Sequence, residues 1–247
     1  MKVLIIVPAF NEAIIIKSVL ESIIKENPEW DILVINDGSS DATGEIASEL
    51  KTVKVINLPC NLGIGGAVET GFKYALYHNY DLAVQFDGDG QHKASEIKKI
   101  LEPLIVQKAD VVIGSRFLLK STNWKPNFSR RLGIKIFSLV NSILIRQKIT
   151  DNTSGFRAYN KRAIEFLARD NYPTDYPEPE AIILLGKNGF KMMEVFVEMQ
   201  ERAEGKSSIS GLKQLYYMFK VLLSILVSSI RAPQIKKINK QSNFSLY

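Results

Sequence analysis

Asp87-Gly88-Asp89 stands directly after the apolar run Leu82–Phe86. Two carboxylates one residue apart at the end of a strand, with a glycine between them, can converge on one hard cation. Mg²⁺ and Mn²⁺ favour oxygen ligands and commonly bridge a few carboxylates to substrate phosphates. Gln91 and His92 follow closely enough to complete or orient such a shell. A solvated turn is the plain alternative for a D-x-D triplet. Its position after the fourth strand of an alternating pattern favours the chemical reading.

Other polar clusters carry weaker signals. Asp37-Gly38-Ser39 also follows a strand, where an acid can bind a ribose hydroxyl or a base edge. The structural alternative is a helix N-cap made by Ser39, Ser40 or Asp41. Pro8–Glu12 (PAFNE) follows the first strand, and Glu12 either bonds a ligand or favours the helix N-terminus electrostatically. Gly63-Ile64-Gly65-Gly66 precedes a helix, so a phosphate cradle has to be weighed. The dinucleotide pattern G-x-G-x-x-G fails at Val68, and no G-x-x-x-x-G-K-[ST] occurs. These glycines read better as permitting close approach of the backbone to a ligand or a neighbouring strand. Arg116 ends the fifth strand, where its planar fork suits a diphosphate and a surface ion pair is the alternative. Arg130, Arg131 and Arg157 are similar candidates in weaker positions. Glu178 and Glu180 flank Pro179 in a loop-like segment, and either can act as a general base, a solvated helix start being the alternative.

The elements that must position these residues follow from the hydrophobic pattern. Strands are expected at Lys2–Val7, Asp31–Ile35, Val53–Leu58, Leu82–Phe86 and Asp110–Gly114. Helices are expected between them, at Ala13–Glu26, Ala42–Leu50, Ala67–His78 and Lys93–Gln107. This alternation argues for an α/β fold with a mostly parallel, helix-covered sheet, buried on both faces. The polar clusters all follow C-terminal strand ends, the edge where open α/β sheets bind ligands. The second half is less regular. A long helix is expected over Asn127–Ile149, then the polar loop Thr150–Tyr159, a helix over Lys161–Arg169, a strand over Phe190–Met199 and an apolar helix over Gly211–Arg231.

Charge sorts unevenly along the 247 residues. Residues 1–200 hold 24 basic and 24 acidic side chains, so the net charge of +6 belongs to the last 47 residues. No acid occurs from Gly205 onward. A neutral main body argues against a nucleic-acid binder. Cys60 is the only cysteine, which excludes an internal disulfide and multi-cysteine metal sites and fits a reducing compartment. The apolar start MKVLIIVPAFNE lacks a cleavage pattern and reads as a strand rather than a signal peptide.

Taken in order, PAFNE, NDGSSD, NLGIGGAVETGF, DGDGQH and GSRF resemble the blocks of family 2 inverting glycosyltransferases of GT-A fold. The subgroup of dolichyl-phosphate mannose synthases and bacterial polyprenyl-phosphate glycosyltransferases is the most similar. Its late R-x-x-G-x-S block is matched by Arg202, Gly205 and Ser207. The resemblance covers about residues 1–210. It implies that Pro8, Phe10, Glu12 and Asp37 hold the nucleoside, with Gly63 on the donor side. It implies that Asp87, Asp89 and Gln91 serve Mg²⁺ or Mn²⁺, that Arg116 faces a donor or acceptor phosphate, and that Arg202 and Ser207 close over the phosphates. The implied donor is a nucleotide sugar, a UDP-sugar ahead of GDP- or dTDP-sugars. The implied acceptor is a polyprenyl phosphate, or else a hydroxyl of a lipid-linked or cell-surface saccharide in polysaccharide biosynthesis. An ionised phosphate needs no strong base, whereas a hydroxyl would require Glu178 or Glu180.

Residues 211–247 form a separate appendage in this reading. Leu212–Ile230 is nineteen residues long but contains Lys213, Gln214 and Lys220, against the roughly 20 predominantly apolar residues of a spanning helix. An amphipathic helix lying in the headgroup region fits better, with Lys236, Lys237 and Lys240 favouring anionic lipid. A core helix or a homo-oligomer interface is the alternative. The expectation is therefore a peripheral enzyme on the cytoplasmic face of the cell membrane. Its rivals are a sugar-nucleotide-forming nucleotidyltransferase and a non-catalytic membrane-bound partner protein.

Overall fold

The computed structural model describes residues 1–118, 138–169, 172–173 and 177–200, together with positions 220, 223, 227 and 230. Arg130, Arg131, Arg202, Ser207, the first part of the helix expected from Asn127, and most of the segment after Gly211 lie outside the described residues.

Seven strands form one sheet in the order β3-β2-β1-β4-β6-β5-β7. They are β1 Val3–Ala9, β2 Asp31–Asn36, β3 Val53–Asn57, β4 Leu82–Gln85, β5 Val111–Ser115, β6 Arg157–Asn160 and β7 Met192–Phe196. The helices are α1 Ile16–Glu26, α2 Thr43–Ser48, α3 Gly63–Tyr77, α4 Ile97–Ile105, helical residues 138–145 (α5), α6 Lys161–Leu167 and α7 Pro177–Lys187. The first five strands and their intervening helices match the alternation expected from sequence, with ends shifted by a few residues.

Alternate residues of the buried strands feed two cores, one on each face of the sheet. Leu4 and Ile6 of β1 point to the side covered by α3, α6 and α7, where Phe72, Tyr159, Ile164 and Ile182 pack. Ile5 and Val7 point to the side covered by α1 and α4, with Leu20, Ile97 and Leu101. Burial on both faces is why these strands read as continuous apolar runs.

β6 departs from the parallel pattern. It lies between β4 and β5 and is antiparallel to both. The chain leaves β5 at the C-terminal edge of the sheet and re-enters on β6 from that same edge. Gln85, at the end of β4, therefore sits opposite Arg157, at the start of β6. This pairing delivers residues 151–156 to the tip of β4, where Asp87 stands.

Two expectations are corrected. The segment around Glu178 and Glu180 is the first turn of α7, and its prolines open the helix. Their missing N–H groups fall where a helix has no internal partners in any case. The glycine block belongs to α3, which starts at Gly63 rather than at Ala67.

Candidate active site

Backbone bonds continue past the strand ends and bring the polar blocks side by side. Asp37 N–H donates to the Ala9 carbonyl (2.9 Å), and Gly88 N–H donates to the Pro8 carbonyl (3.3 Å). Gly114 N–H donates to the Phe156 carbonyl (2.8 Å). Pro8, Asp37, Asp87 and the end of β5 thus share one edge.

The first two blocks form a mutual scaffold. Ser39 Oγ accepts Asn11 N–H (3.0 Å), Thr43 Oγ1 accepts Glu12 N–H (2.8 Å), and Asp41 Oδ2 accepts Ala13 N–H (3.2 Å). Burial pushes the Asp41 carboxyl up, but bonds from Thr43 and Ala13 outweigh it and hold the group below its usual value. The residue at the cap position of α2 is Ala42, which makes no side-chain bond, but Asp41 Oδ1 accepts the N–H of Thr43 (3.0 Å), the first helical residue, while Asp41 Oδ2 and the Ser39 hydroxyl serve the neighbouring loop. Asp37 is buried, and its Oδ1 accepts Leu62 N–H (2.7 Å), tying this block to the start of α3. Gly38 adopts φ +68°, and a Cβ there would lie 2.7 Å from the Cys60 carbonyl carbon, so only glycine fits. Gly63 also has positive φ (+78°) and faces open space. Phe10 is half exposed just past β1, and Glu12 is partly buried at the foot of α1.

Asp87 is held on one side of its carboxylate. His92 Nε2 lies 3.1 Å from its Oδ2, with a buried ring stacked on Phe156 (centroids 4.9 Å apart, 26° between planes) and edge-on to Phe86. His92 therefore orients Asp87. Burial pushes the Asp87 carboxyl up, but the His92 bond and charge and the Arg157 charge prevail and hold it below the usual carboxylate value. Its Oδ1 is buried without a hydrogen-bond partner among the described residues, although the side chain as a whole is 30% exposed. Asp89 Oδ1 accepts Gln91 N–H (3.0 Å), which curls the loop back on itself. Gln91 in turn anchors the far side of the sheet, its carbonyl accepting Gln200 N–H (2.8 Å).

These groups fit a divalent cation. Asp87 offers a buried acceptor atom with an unmet demand, and Asp89 adds a second carboxylate on the same short loop. No group of three or more His, Cys, Asp or Glu suited to a metal occurs among the described residues.

Gly155 packs directly on this carboxylate: a Cβ there would lie 2.6 Å from Asp87 Oδ2 and 3.0 Å from Oδ1. Gly155→Ala must displace Asp87 while changing little else. The expected result is a loss of turnover of about a hundredfold, the cost of moving a reacting centre by roughly 1 Å. Initial rates alongside the melting temperature check it, with the rate falling far more than the stability.

Arg116 is neither free nor a surface ion pair. It is buried and forks onto Asp151, with Nε–Oδ2 and Nη2–Oδ1 both 2.7 Å, while Nη2 also donates to Thr153 Oγ1 (2.7 Å). Burial lowers the guanidinium's affinity for its proton, but Asp151 more than restores it. Burial also pushes Asp151 up, and Arg116 overcomes this and holds the acid below its usual value. Asp151 is anchored through its own N–H, donated to Glu194 Oε1 of β7 (2.7 Å).

Three further residues of the site had little or no weight in the sequence. Asp151 is the first acid after Asp110 and opens the polar TDNTSGF loop, but spacing alone gives it no partner. Glu194 lies within a strand, a signal that in isolation reads only as a solvated face. Arg157 is fully buried in β6, its Nε donating to the Ser154 carbonyl (2.8 Å) and Nη2 to the Asn152 carbonyl (3.2 Å). It shapes the loop beneath Asp87 and Glu178, where the sequence suggested a weak phosphate contact. Glu178 is drawn into this charge cluster: burial raises its carboxyl, Asp87 adds to the rise, and Arg157 and Arg116 oppose it. Glu180 is partly buried one step along α7.

The family model described as Glycosyl transferase family 2 matches residues 4–167, which include Asp87, Asp89, Arg116 and Asp151. The chain belongs to glycosyltransferase family 2. It is a glycosyltransferase of GT-A fold. It is 34% identical to an undecaprenyl-phosphate mannosyltransferase of Micrococcus luteus over 85% of this chain and 88% of that one. It is 31% identical to a UDP-N-acetylglucosamine–dolichyl-phosphate N-acetylglucosaminyltransferase of Methanococcus voltae, over 86% and 92%. Glucosyl-3-phosphoglycerate synthase of Mycobacterium tuberculosis, solved with Mn²⁺, UDP-glucose and phosphoglyceric acid, has the same fold, with a TM-score of 0.70 at 16% identity over 92% of this chain and 79% of that one.

Proposed function

We propose that this glycosyltransferase moves a sugar from a nucleotide-sugar donor to a polyprenyl phosphate, with inversion at the anomeric carbon, at the cytoplasmic face of the cell membrane. One observation carries the reading. The carboxylate pair Asp87/Asp89 and the Arg116–Asp151 fork stand on one sheet edge of a chain whose full-length relatives are named for polyprenyl and dolichyl phosphate acceptors.

The residues divide the work. Pro8, Phe10, Glu12, Asp37 and Gly63 line the end of the edge where a nucleoside would lie, and Arg202 and Ser207 belong to the donor side. Asp87, Asp89 and Gln91 would hold Mg²⁺ or Mn²⁺, which supplies charge neutralisation for a nucleoside diphosphate leaving group. His92 and Gly155 fix Asp87, and Arg116, locked by Asp151, offers a preorganised positive charge to a phosphate. A UDP-sugar is the expected donor, with GDP- and dTDP-sugars next.

The acceptor fork falls on Glu178. An ionised phosphate needs no base, so Glu178→Gln is expected to keep turnover on polyprenyl phosphate within about tenfold. A loss of a hundredfold or more would favour a hydroxyl acceptor. The same variant has a stability signature. The folded carboxyl has a higher pKa than the unfolded one, so its ionisation at higher pH works against folding. Glu178→Gln should therefore stabilise the protein at neutral pH, and the gain should vanish below about pH 4.5, the ordinary value, as seen in melting temperature against pH.

Membrane attachment rests on the C-terminal appendage, residues 211–247, beyond a catalytic domain of residues 1–210. Positions 220, 223, 227 and 230 are helical, and all four are exposed, spaced as one helical stripe. Among the described residues no helix is long and apolar enough to cross a membrane. Cys60 is free and exposed, in keeping with a reducing compartment. A panel of nucleotide sugars with Mn²⁺ or Mg²⁺, with and without polyprenyl phosphate, tests the activity. Glycosylation of hydroxyl acceptors alone would overturn it. An oligomer held by the appendage would appear in sedimentation velocity.

A further inference from the structure

Two hydrogen-bond branches that begin at Arg116 and its neighbour Ser115 end on one carboxylate, Glu194. The first runs through the fork. Arg116 donates to Asp151 from its side chain and from its own N–H (3.1 Å to Oδ2), and Asp151 N–H donates to Glu194 Oε1 (2.7 Å). The second starts one residue earlier. Ser115 Oγ lies 3.1 Å from Thr150 Oγ1, which lies 3.0 and 2.9 Å from the two Glu194 oxygens. A carboxylate only accepts, so the Thr150 hydroxyl donates to Glu194 and Ser115 donates to Thr150. Thr150 N–H also donates to Glu194 Oε2 (2.8 Å).

The alternation of β7 puts Glu194 there. Met193 and Val195 pack toward the core under α1 and α4, so Glu194 faces the other side, where residues 150 and 151 lie. Holding two consecutive backbone N–H groups and a hydroxyl takes both carboxylate oxygens. A glutamine offers one oxygen and turns an NH₂ toward an N–H. The same strand leads on to the metal loop. Met199 pairs with His92, and Gln200 N–H donates to the Gln91 carbonyl. One strand therefore touches both the support of Arg116 and the loop that carries Asp87 and Asp89.

We infer that Glu194 is a positioning residue: through Asp151 and Thr150 it fixes Arg116 relative to the Asp87/Asp89 loop, so that both address one phosphate-bearing substrate in a preorganised arrangement. This role rests on the proposed function in one respect, that Arg116 faces a substrate phosphate.

The test is a double-mutant cycle on initial rates, Glu194→Gln against Arg116→Lys, using whichever acceptor the nucleotide-sugar panel identifies. Glu194→Gln should lower kcat/KM by about ten- to a hundredfold, the usual cost of losing a group that orients a functional side chain. Arg116→Lys keeps the charge but loses the planar fork, and should be impaired to a similar degree. The double variant should lose no more than about threefold beyond Arg116→Lys, because Glu194 acts through the arginine. The half-saturating Mn²⁺ concentration should stay within about twofold in Glu194→Gln, a reading that general damage to the fold would move. Thr150→Val removes only the hydroxyl branch at similar volume. It should cost a smaller factor with the same lack of additivity, and it carries the cycle if Glu194→Gln does not fold. Rates within about twofold of wild type in Glu194→Gln overturn the inference. So do losses that multiply in the double variant. If Arg116→Lys is as fast as wild type, the assignment of Arg116 to a phosphate falls, and the role of Glu194 with it. If Arg116→Lys is impaired and Glu194→Gln is not, only the role of Glu194 falls. Glycosylation of hydroxyl acceptors alone would end the lipid-phosphate reading, while the same cycle on that acceptor still decides the role of Glu194.

Discussion

Asp89→Ala is expected to lower turnover roughly a thousandfold, to the level wild type reaches in excess EDTA. A departing nucleoside diphosphate gains negative charge in the transition state, and neutralising that charge supplies several kcal/mol, each 1.36 kcal/mol being tenfold in rate. Asp87 and Asp89 are the two described carboxylates of the DGD loop, and the Asp87 Oδ1 demand is met by nothing else among the described residues. Losing one leaves a single carboxylate with Gln91. The two losses should not multiply: EDTA should do little further harm to Asp89→Ala, because both remove the same component. Asp89 is partly exposed on a loop, so the melting temperature should barely move. Initial rates across a Mn²⁺ titration check this. Turnover unchanged in Asp89→Ala would end the metal assignment.

Asp151→Ala should unfold more readily as well as lose activity. Arg116 is buried, and removing its partner leaves a desolvated guanidinium without its fork, a change that typically costs about 3–5 kcal/mol. At about 2–4 °C per kcal/mol for a domain of this size, the melting temperature should fall by roughly 10 °C. The double variant Asp151→Leu/Arg116→Met should regain most of that stability, since an apolar pair of similar volume avoids the desolvation cost, yet remain inactive. That contrast separates a structural strut from an arrangement that presents charge to a phosphate. The pH dependence has a definite sign. The folded Asp151 carboxyl lies below the ordinary 3.8, so its contribution is complete above that pH and is lost as pH falls through the folded value. Wild type and Asp151→Ala should therefore converge in melting temperature only in strong acid.

Much of the site was legible because strand ends in this fold class are marked by chemistry that strands cannot tolerate. Asp87 and Asp89 follow a buried apolar run, and carboxylates there must face the edge. The same logic located Pro8, Asp37 and Arg116. Other residues gave no such mark. Arg157 reads as one basic residue in a short polar-to-apolar transition, and Asp151 and Glu194 as acids on a loop and a strand. The roles of Asp151 and Glu194 come from partners 35 to 43 residues away, through the Arg116–Asp151 fork and the Asp151–Glu194 bond. Glu178 read either as part of a loop-like segment or as a helix start, and the two prolines begin that helix.

Hydrophobic period and strand-end polarity, both properties of neighbouring residues, determined from sequence alone that a layered α/β sheet would carry its polar blocks on one edge, with a carboxylate pair after β4. Block order then determined the family. The reversed direction of β6 was decided only in three dimensions. By entering from the ligand edge it sets Gly155 on Asp87, Arg157 beneath it and Asp151 on Arg116.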